Sequence, residues 1–215
     1  VQVNEVTQAS KIVALNTGLE LIDTYPVVLL DADIHIQGES IYKLAKFLHE
    51  EELLAAAPQV KFDWSMSNHL AESYYRVSST SSYNAEHRLS NVIALSRLGV
   101  ERLGQLPNVI ADDEYIRRKF KQYEYGINSA IEFVFTCPKD LRNLLNVLTR
   151  VERGNFQLEL LNYHDHTEAK LSGPSNREPF SYLIFLVCKA LAKFRAKWQL
   201  KKGLVSQWER DESNR

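Results

Sequence analysis

A short run without polar side chains, Pro26-Val-Val-Leu-Leu30, leads straight into Asp31-Ala-Asp33. Such a run, rich in β-branched residues and lacking polar alternation, fits a strand buried on both faces, as in a parallel sheet. Carboxylates at the carboxyl end of a buried strand project into the crevice where open α/β sheets hold ligands. This one placement limits the fold more than any other feature, because it needs covering elements on both faces.

The surrounding pattern supplies such elements. Ile12, Val13, Leu15, Leu19 and Ile22 recur at helical spacing over residues 9–23. A second helix is expected from Gly38-Glu39, with Ile41, Leu44, Ala45 and Leu48 on one face, and Leu53–Val60 reads as a second strand. Residues 62–90 are Ser-rich and show no sustained period, so they are expected to form a long loop, a setting that often carries function. Asn91–Ser96 reads as a strand, followed by a short helix through Leu103 and a turn at Pro107-Asn108. Asp112-Asp113-Glu114 opens a helix through Phe120, and Ile127–Cys137 is a further strand. Pro138 is expected at the first turn of a helix that Gly154-Asn155 interrupts, and Gly173-Pro174 marks a polar linker. Alternating strands and helices predict an α/β domain, and no internal repeat is visible.

Composition matters mainly for what it excludes. A formal net charge of −1 argues against a general nucleic-acid binder, so no nucleic acid is expected as a partner. Cys137 and Cys188 each sit in an apolar run; reduced, buried thiols fit a cytoplasmic protein and no disulfide framework. The chain begins at Val1 without an initiator methionine or a leader pattern, and is read as a cut edge.

Three segments carry candidate chemistry. Asp31 and Asp33 would repel one another, and a divalent cation relieves that repulsion; hard oxygen ligands suit Mg²⁺ or Mn²⁺. Asp33 can equally cap the next element. Asp112-Asp113 follows a second apolar triplet, where one acid can act as general base, although acids before a helix also complement its dipole. Arg150 and Arg153 share a helix face and can grip a diphosphate or an acidic acceptor, or form a solvated basic face.

The order of these segments resembles family 2 glycosyltransferases of the GT-A fold. Lys11-Ile-Val-Ala-Leu-Asn16-Thr-Gly18, then Val27-Val-Leu-Leu-Asp31-Ala-Asp33, is similar to the family's central signature. Leu106–Arg117, with Asp112-Asp113 inside it, resembles the later acidic motif. Arg150-Val-Glu-Arg153-Gly154 resembles a segment that usually ends in Trp. The resemblance implies a mixed, Rossmann-like sheet flanked by helices, incomplete at its beginning, with a C-terminal helical extension. It implies an inverting transferase that moves a sugar from a nucleotide-sugar donor, UDP-linked by expectation, to a saccharide or lipid-linked saccharide acceptor. Asp31 would contact the donor and Asp33 the Mg²⁺ or Mn²⁺, with Asp113 as base and Asp112 supporting it. Lys11 and Asn16 would lie close to the donor, while Arg150 and Arg153 would hold diphosphate or acceptor. Gly154 in place of Trp suits transfer of a single sugar rather than processive synthesis. Family members begin with further strands that this chain lacks, which would leave an exposed sheet edge.

The expected organisation is a transferase portion over residues 1–160, a linker over 161–179, and a basic amphipathic helix and tail over 180–215. Phe180–Leu200 is too short and too basic for a membrane span. Leu183, Val187, Ala190, Leu191, Phe194 and Trp198 share a face that can pack on the domain or lie on an anionic membrane surface, through residues 180–202. Two rival readings remain. A haloacid dehalogenase-type phosphatase also follows a strand with Asp-x-Asp, but His35 stands where that family has Thr or Val. The other is a non-catalytic remnant or interaction module. His164 and His166, in a polar loop, read as surface residues.

Overall fold

The computed structural model describes residues 3–165 and 173–202. It is a mixed α/β fold in which an open four-stranded sheet is flanked by helices. The elements run α1 (Lys11–Glu20), β1 (Val27–Leu30), α2 (Gly38–Glu50), β2 (Ala55–Asp63), α3 (His69–Ser78) and β3 (Val92–Leu95). They continue through α4 (Arg97–Leu103), α5 (Asp112–Arg118), β4 (Tyr125–Thr136), α6 (Leu141–Leu160) and α7 (Pro179–Lys201). A single π-helical turn, Tyr83–His87, lies between α3 and β3.

The strands lie in the order β1-β3-β2-β4. β3 runs antiparallel to both β1 and β2, whereas β2 and β4 are parallel, with a register shift at Pro58/Gln59. The doubly buried strand is therefore β3, all four of whose residues are buried. β1 corrects the expectation for Pro26–Leu30: it lies at the edge of the sheet, antiparallel to its neighbour, and Leu30 is exposed. A wholly apolar run carries no period, so its burial pattern cannot separate edge from centre.

Alternation along β3 and β2 builds two cores. Ile93, Leu95, Ala55 and Ala57 face α1, α4 and α5, meeting Ile12, Leu103, Tyr115 and Ile116. Val92, Ala94 and Ala56 face the other way, against Leu44 and Leu48 of α2. A third cluster joins Ala71, Tyr74 and Val77 of α3 to Leu144 of α6 and to Phe185 and Cys188 of α7. Both cysteines are free and buried.

Two other expectations change. The segment 62–90 is not a loop throughout, since it contains α3. Asn68 Oδ1 caps that helix by accepting from the Ala71 amide at 3.0 Å, and Ala71, Tyr74, Tyr75 and Val77 bury its inner face. The buried residues are small or aromatic, which hid the period. Likewise α6 starts at Leu141, capped by Asp140 Oδ1 on the Asn143 amide at 2.8 Å, and passes through Gly154-Asn155 without a break. The cost of one helical glycine, about 1 kcal/mol, is small against the burial of Arg153, Gly154 and Leu158 on that turn.

Candidate active site

Three carboxylates from two distant segments of the chain converge on one ammonium. Lys11 stands at the first position of α1, where Ser10 caps the helix and Ile12 anchors it in the core. Lys11 Nζ lies 2.8 Å from Asp31 Oδ1, 2.7 Å from Asp112 Oδ2 and 4.0 Å from Asp113 Oδ1. Three negative charges face one positive charge, which leaves the cluster formally at −2.

Two parts of the fold place the acids. Asp31 follows the last residue of β1, and its amide donates to the Asn91 carbonyl at 2.9 Å. Asn91 Nδ2 donates to Asp31 Oδ2 at 3.0 Å. Asn91 adopts φ +63°, a left-handed conformation that Asn tolerates better than most residues. Behind it, Arg88 donates through Nε to Ser90 Oγ at 2.6 Å and through Nη2 to Asn91 Oδ1 at 3.4 Å. The Arg88 guanidinium also lies 5.4 Å from the ring centres of both Phe62 and Phe135. Sequence reasoning missed Asn91 and Arg88, because their role depends on the pairing of β1 with β3.

Asp112 and Asp113 open α5 at the end of an irregular segment that is held at three points. The Asn16 side chain accepts from the Leu106 amide at 2.8 Å and donates to the Leu106 carbonyl at 2.9 Å. Gln157 of α6 accepts from the Ile110 amide at 2.8 Å. Gly154 abuts Ala111 so closely that an added Cβ would sit 2.6 Å from the Ala111 Cβ and 3.1 Å from its amide nitrogen. Gly154 is thus a helix-to-loop contact, next to the first acid of α5.

Burial, with Asp112 and Asp31 nearby, pushes the Asp113 carboxyl up to about 7, although Lys11 works against the shift. Its side chain stays 32% exposed, open to an incoming group. Burial disfavours the Lys11 ammonium, but Asp113, Asp112 and Asp31 outweigh that and raise its pKa. Glu114, the next residue, is compensated instead. Arg117 Nη2 donates to Glu114 Oε1 at 2.7 Å, and Arg118 Nε does so at 2.8 Å. Burial works against its charge, but these hydrogen bonds keep the Glu114 carboxyl below its ordinary value.

The remaining expected residues lie as follows. Asp33 is exposed, two residues beyond Asp31. Arg150 is half-buried on α6. Arg153 is closed off from solvent, 1% exposed, and its Nη1 donates to Gln199 Oε1 of α7 at 3.3 Å. The Asn16 amide is spent on Leu106. His164 is exposed after α6, and His166 lies outside the described residues.

Among the described residues, no three His, Cys, Asp or Glu side chains form a ready-made metal cage. The oxygen chemistry of the donor set still suits a hard cation, because exposed Asp33 follows two residues after Asp31, itself part of an anionic cluster. Mg²⁺ is commonly held by one or two carboxylates, with substrate phosphates completing its shell.

No protein-family profile matches the chain. No curated protein matches it in sequence either. The fold is shared with a solved glycosyltransferase, the mannosyltransferase PcManGT from Pyrobaculum calidifontis in complex with GDP-Man and Mn²⁺. The two align with a TM-score of 0.55 at 20% identity, over 96% of this chain and 58% of that one. The present chain thus spans little more than half the length of that structure.

Proposed function

We propose that the chain is a GT-A-type, family 2-like inverting glycosyltransferase, or the part of one that carries its acids. The convergence of Asp31, Asp112 and Asp113 on Lys11 carries this reading. The shared fold supports it, since that neighbour is seen with a nucleotide-sugar and a divalent cation. Residues 1–160 hold the transfer chemistry, 161–179 link, and 180–215 form a basic extension.

Asp113 is the general base: half-deprotonated near neutral pH, it can take the proton of an acceptor hydroxyl as that oxygen attacks the anomeric carbon. Burial, Asp112 and Lys11 together set its basicity. Asp31, oriented by Asn91, meets the donor's ribose or sugar. Asp33, with Asp31, would hold Mg²⁺ or Mn²⁺, which when bound stabilises charge on the leaving diphosphate. Arg150 is assigned to the diphosphate or the acceptor. We assign Arg153 to α6–α7 packing and Asn16 to positioning the acid-bearing loop, rather than to donor contact. The acceptor is a saccharide or a lipid-linked saccharide, and the protein works on the cytoplasmic side.

The test is calorimetric titration with UDP-sugars and with GDP-mannose, with and without Mn²⁺, on the chain and on Asp33→Ala. Metal-dependent binding of one nucleotide-sugar, lost in the variant, is the expected result. Equal binding without metal, or by Asp33→Ala, would reject the assignment of the metal to Asp33. A folded chain that binds none of these donors would reject the transferase reading for this chain.

A further inference from the structure

The C-terminal helix turns the wrong side outward for a helix that only packs. α7 docks on α3 and α6 through Ser181, Phe185, Cys188, Ala192, Ala196 and Gln199, a face of mostly small residues. Phe180, Leu183, Val187, Leu191, Phe194 and Trp198 share the opposite face and are 45–71% exposed. The apolar stripe visible in the sequence is therefore not the docking face. From Pro179 to Lys202 the helix carries five lysines and one arginine and no acid, although the whole chain is at −1. Lys189, Lys193, Lys197 and Lys201 form one row at four-residue spacing along the flank of the apolar stripe. Glu152 of α6 faces Lys189 and Lys193 electrostatically, and no salt bridge to the row forms among the described residues. No described helix is long and apolar enough to cross a membrane.

We propose that the outer face of α7 lies on an anionic lipid surface, its apolar stripe in the interface and its lysine row against the headgroups. Charge decides between occupants. A second copy of the same face would bring lysines and no acids, so two such helices would meet without counter-charges. An anionic bilayer offers both an apolar interior edge and fixed negative charge, the pairing that interfacial helices of this composition exploit. The proposal stands apart from the transferase reading, because lipid binding needs neither donor nor metal.

Flotation of the full chain with vesicles tests it, using phosphatidylcholine alone and equal parts phosphatidylcholine and phosphatidylglycerol. Binding to the anionic vesicles alone is expected. Lys189→Gln with Lys193→Gln and Lys197→Gln should weaken it by about fivefold per charge removed. Leu183→Gln with Leu191→Gln and Phe194→Gln should abolish it, and these exposed positions leave the docking face intact. Circular dichroism and thermal melting confirm that both variants fold. Equal partition to both vesicle types, or anionic binding unaffected by the apolar substitutions, overturns the proposal. So does sedimentation showing a dimer that those substitutions dissociate, because the stripe would then be covered by a second copy. Binding gained only when residues 203–215 are deleted also overturns it, because that tail would then be the native cover.

Discussion

Two charge clusters sit one residue apart at the start of α5, and they are built on opposite principles. Around Glu114, two arginines meet two carboxylates: Arg117 and Arg118 bind Glu114, and Arg117 also reaches Asp165 at 2.6 Å. The charges cancel, Arg117 is 2% exposed, and Glu114 stays ionised. Around Lys11, one ammonium faces three carboxylates, and Asp113 is forced up to about 7. A balanced buried network holds structure in place. An unbalanced one at an open edge gains from a cation or a proton, the property on which the proposed site rests.

The sharpest break comes at the uncompensated acid. Asp113→Asn should lower sugar transfer by roughly 10²- to 10⁴-fold in a steady-state assay while leaving donor affinity nearly unchanged. A variant within a few-fold of the parent would move the base elsewhere. In the balanced cluster, Arg117→Met should cost about 3 kcal/mol in urea denaturation, because it removes the buried guanidinium that links Glu114 to Asp165 and leaves Glu114 to Arg118. A loss below about 1 kcal/mol would mean that this network does not hold α5.

Proton linkage separates the clusters further. The folded-state pKa of Asp113 lies above its ordinary 3.8, so the native state keeps a proton that the unfolded chain has released. Stability therefore falls as pH rises from about 4 to about 7, and the penalty is fully present above that range. Around the folded-state value transfer activity should rise, roughly tenfold from pH 6 to pH 7.5 or above, as the base loses its proton. Lys11→Met should move the Asp113 midpoint higher and lower the melting temperature most near pH 8. Mn²⁺ should restore part of that loss, whereas Arg117→Met should show no such rescue. A Lys11→Met protein with an unchanged pH profile would show that the ammonium does not control the acids.

The smallest effect is expected at Gly154→Ala. Helix propensity favours alanine by about 1 kcal/mol, but crowding of Ala111 costs about 1–3 kcal/mol. A net loss near 1 kcal/mol is expected in denaturant melts, with a larger relative loss in transfer rate because the displaced residue precedes Asp112. A stabilised, fully active variant would mean that the loop yields freely.

How far the sequence foretold this structure depended on the range of the interactions. Lys11, Asp31, Asp112 and Asp113 were visible as separate local patterns, and the fold brings them together. The strand Val92–Leu95 was legible as a strand, but its central place was not, since β-sheet order is a property of distant pairings. The same limit hid Asn91, whose hydrogen bond to Asp31 spans 60 positions of chain. α3 was concealed because tyrosines and serines line its buried side, although Asn68 followed by Glu72 marked its start. Arg153 shows the same limit from the other side: its burial beneath α7 rests on a contact with Gln199 that lies 46 positions along the chain.

The segment Gly104–Ala111 has no regular hydrogen-bonding ladder, yet Asn16, Gln157 and Gly154 pin it from two separate helices. In deuterated solvent it should keep time with the strands. The Leu106 and Ile110 amides should exchange as slowly as those of β3, while the exposed Gln105 amide exchanges at once. The acids of α5 are then carried on a fixed bracket, and lengthening this loop by even one residue would move the chemistry rather than merely the surface.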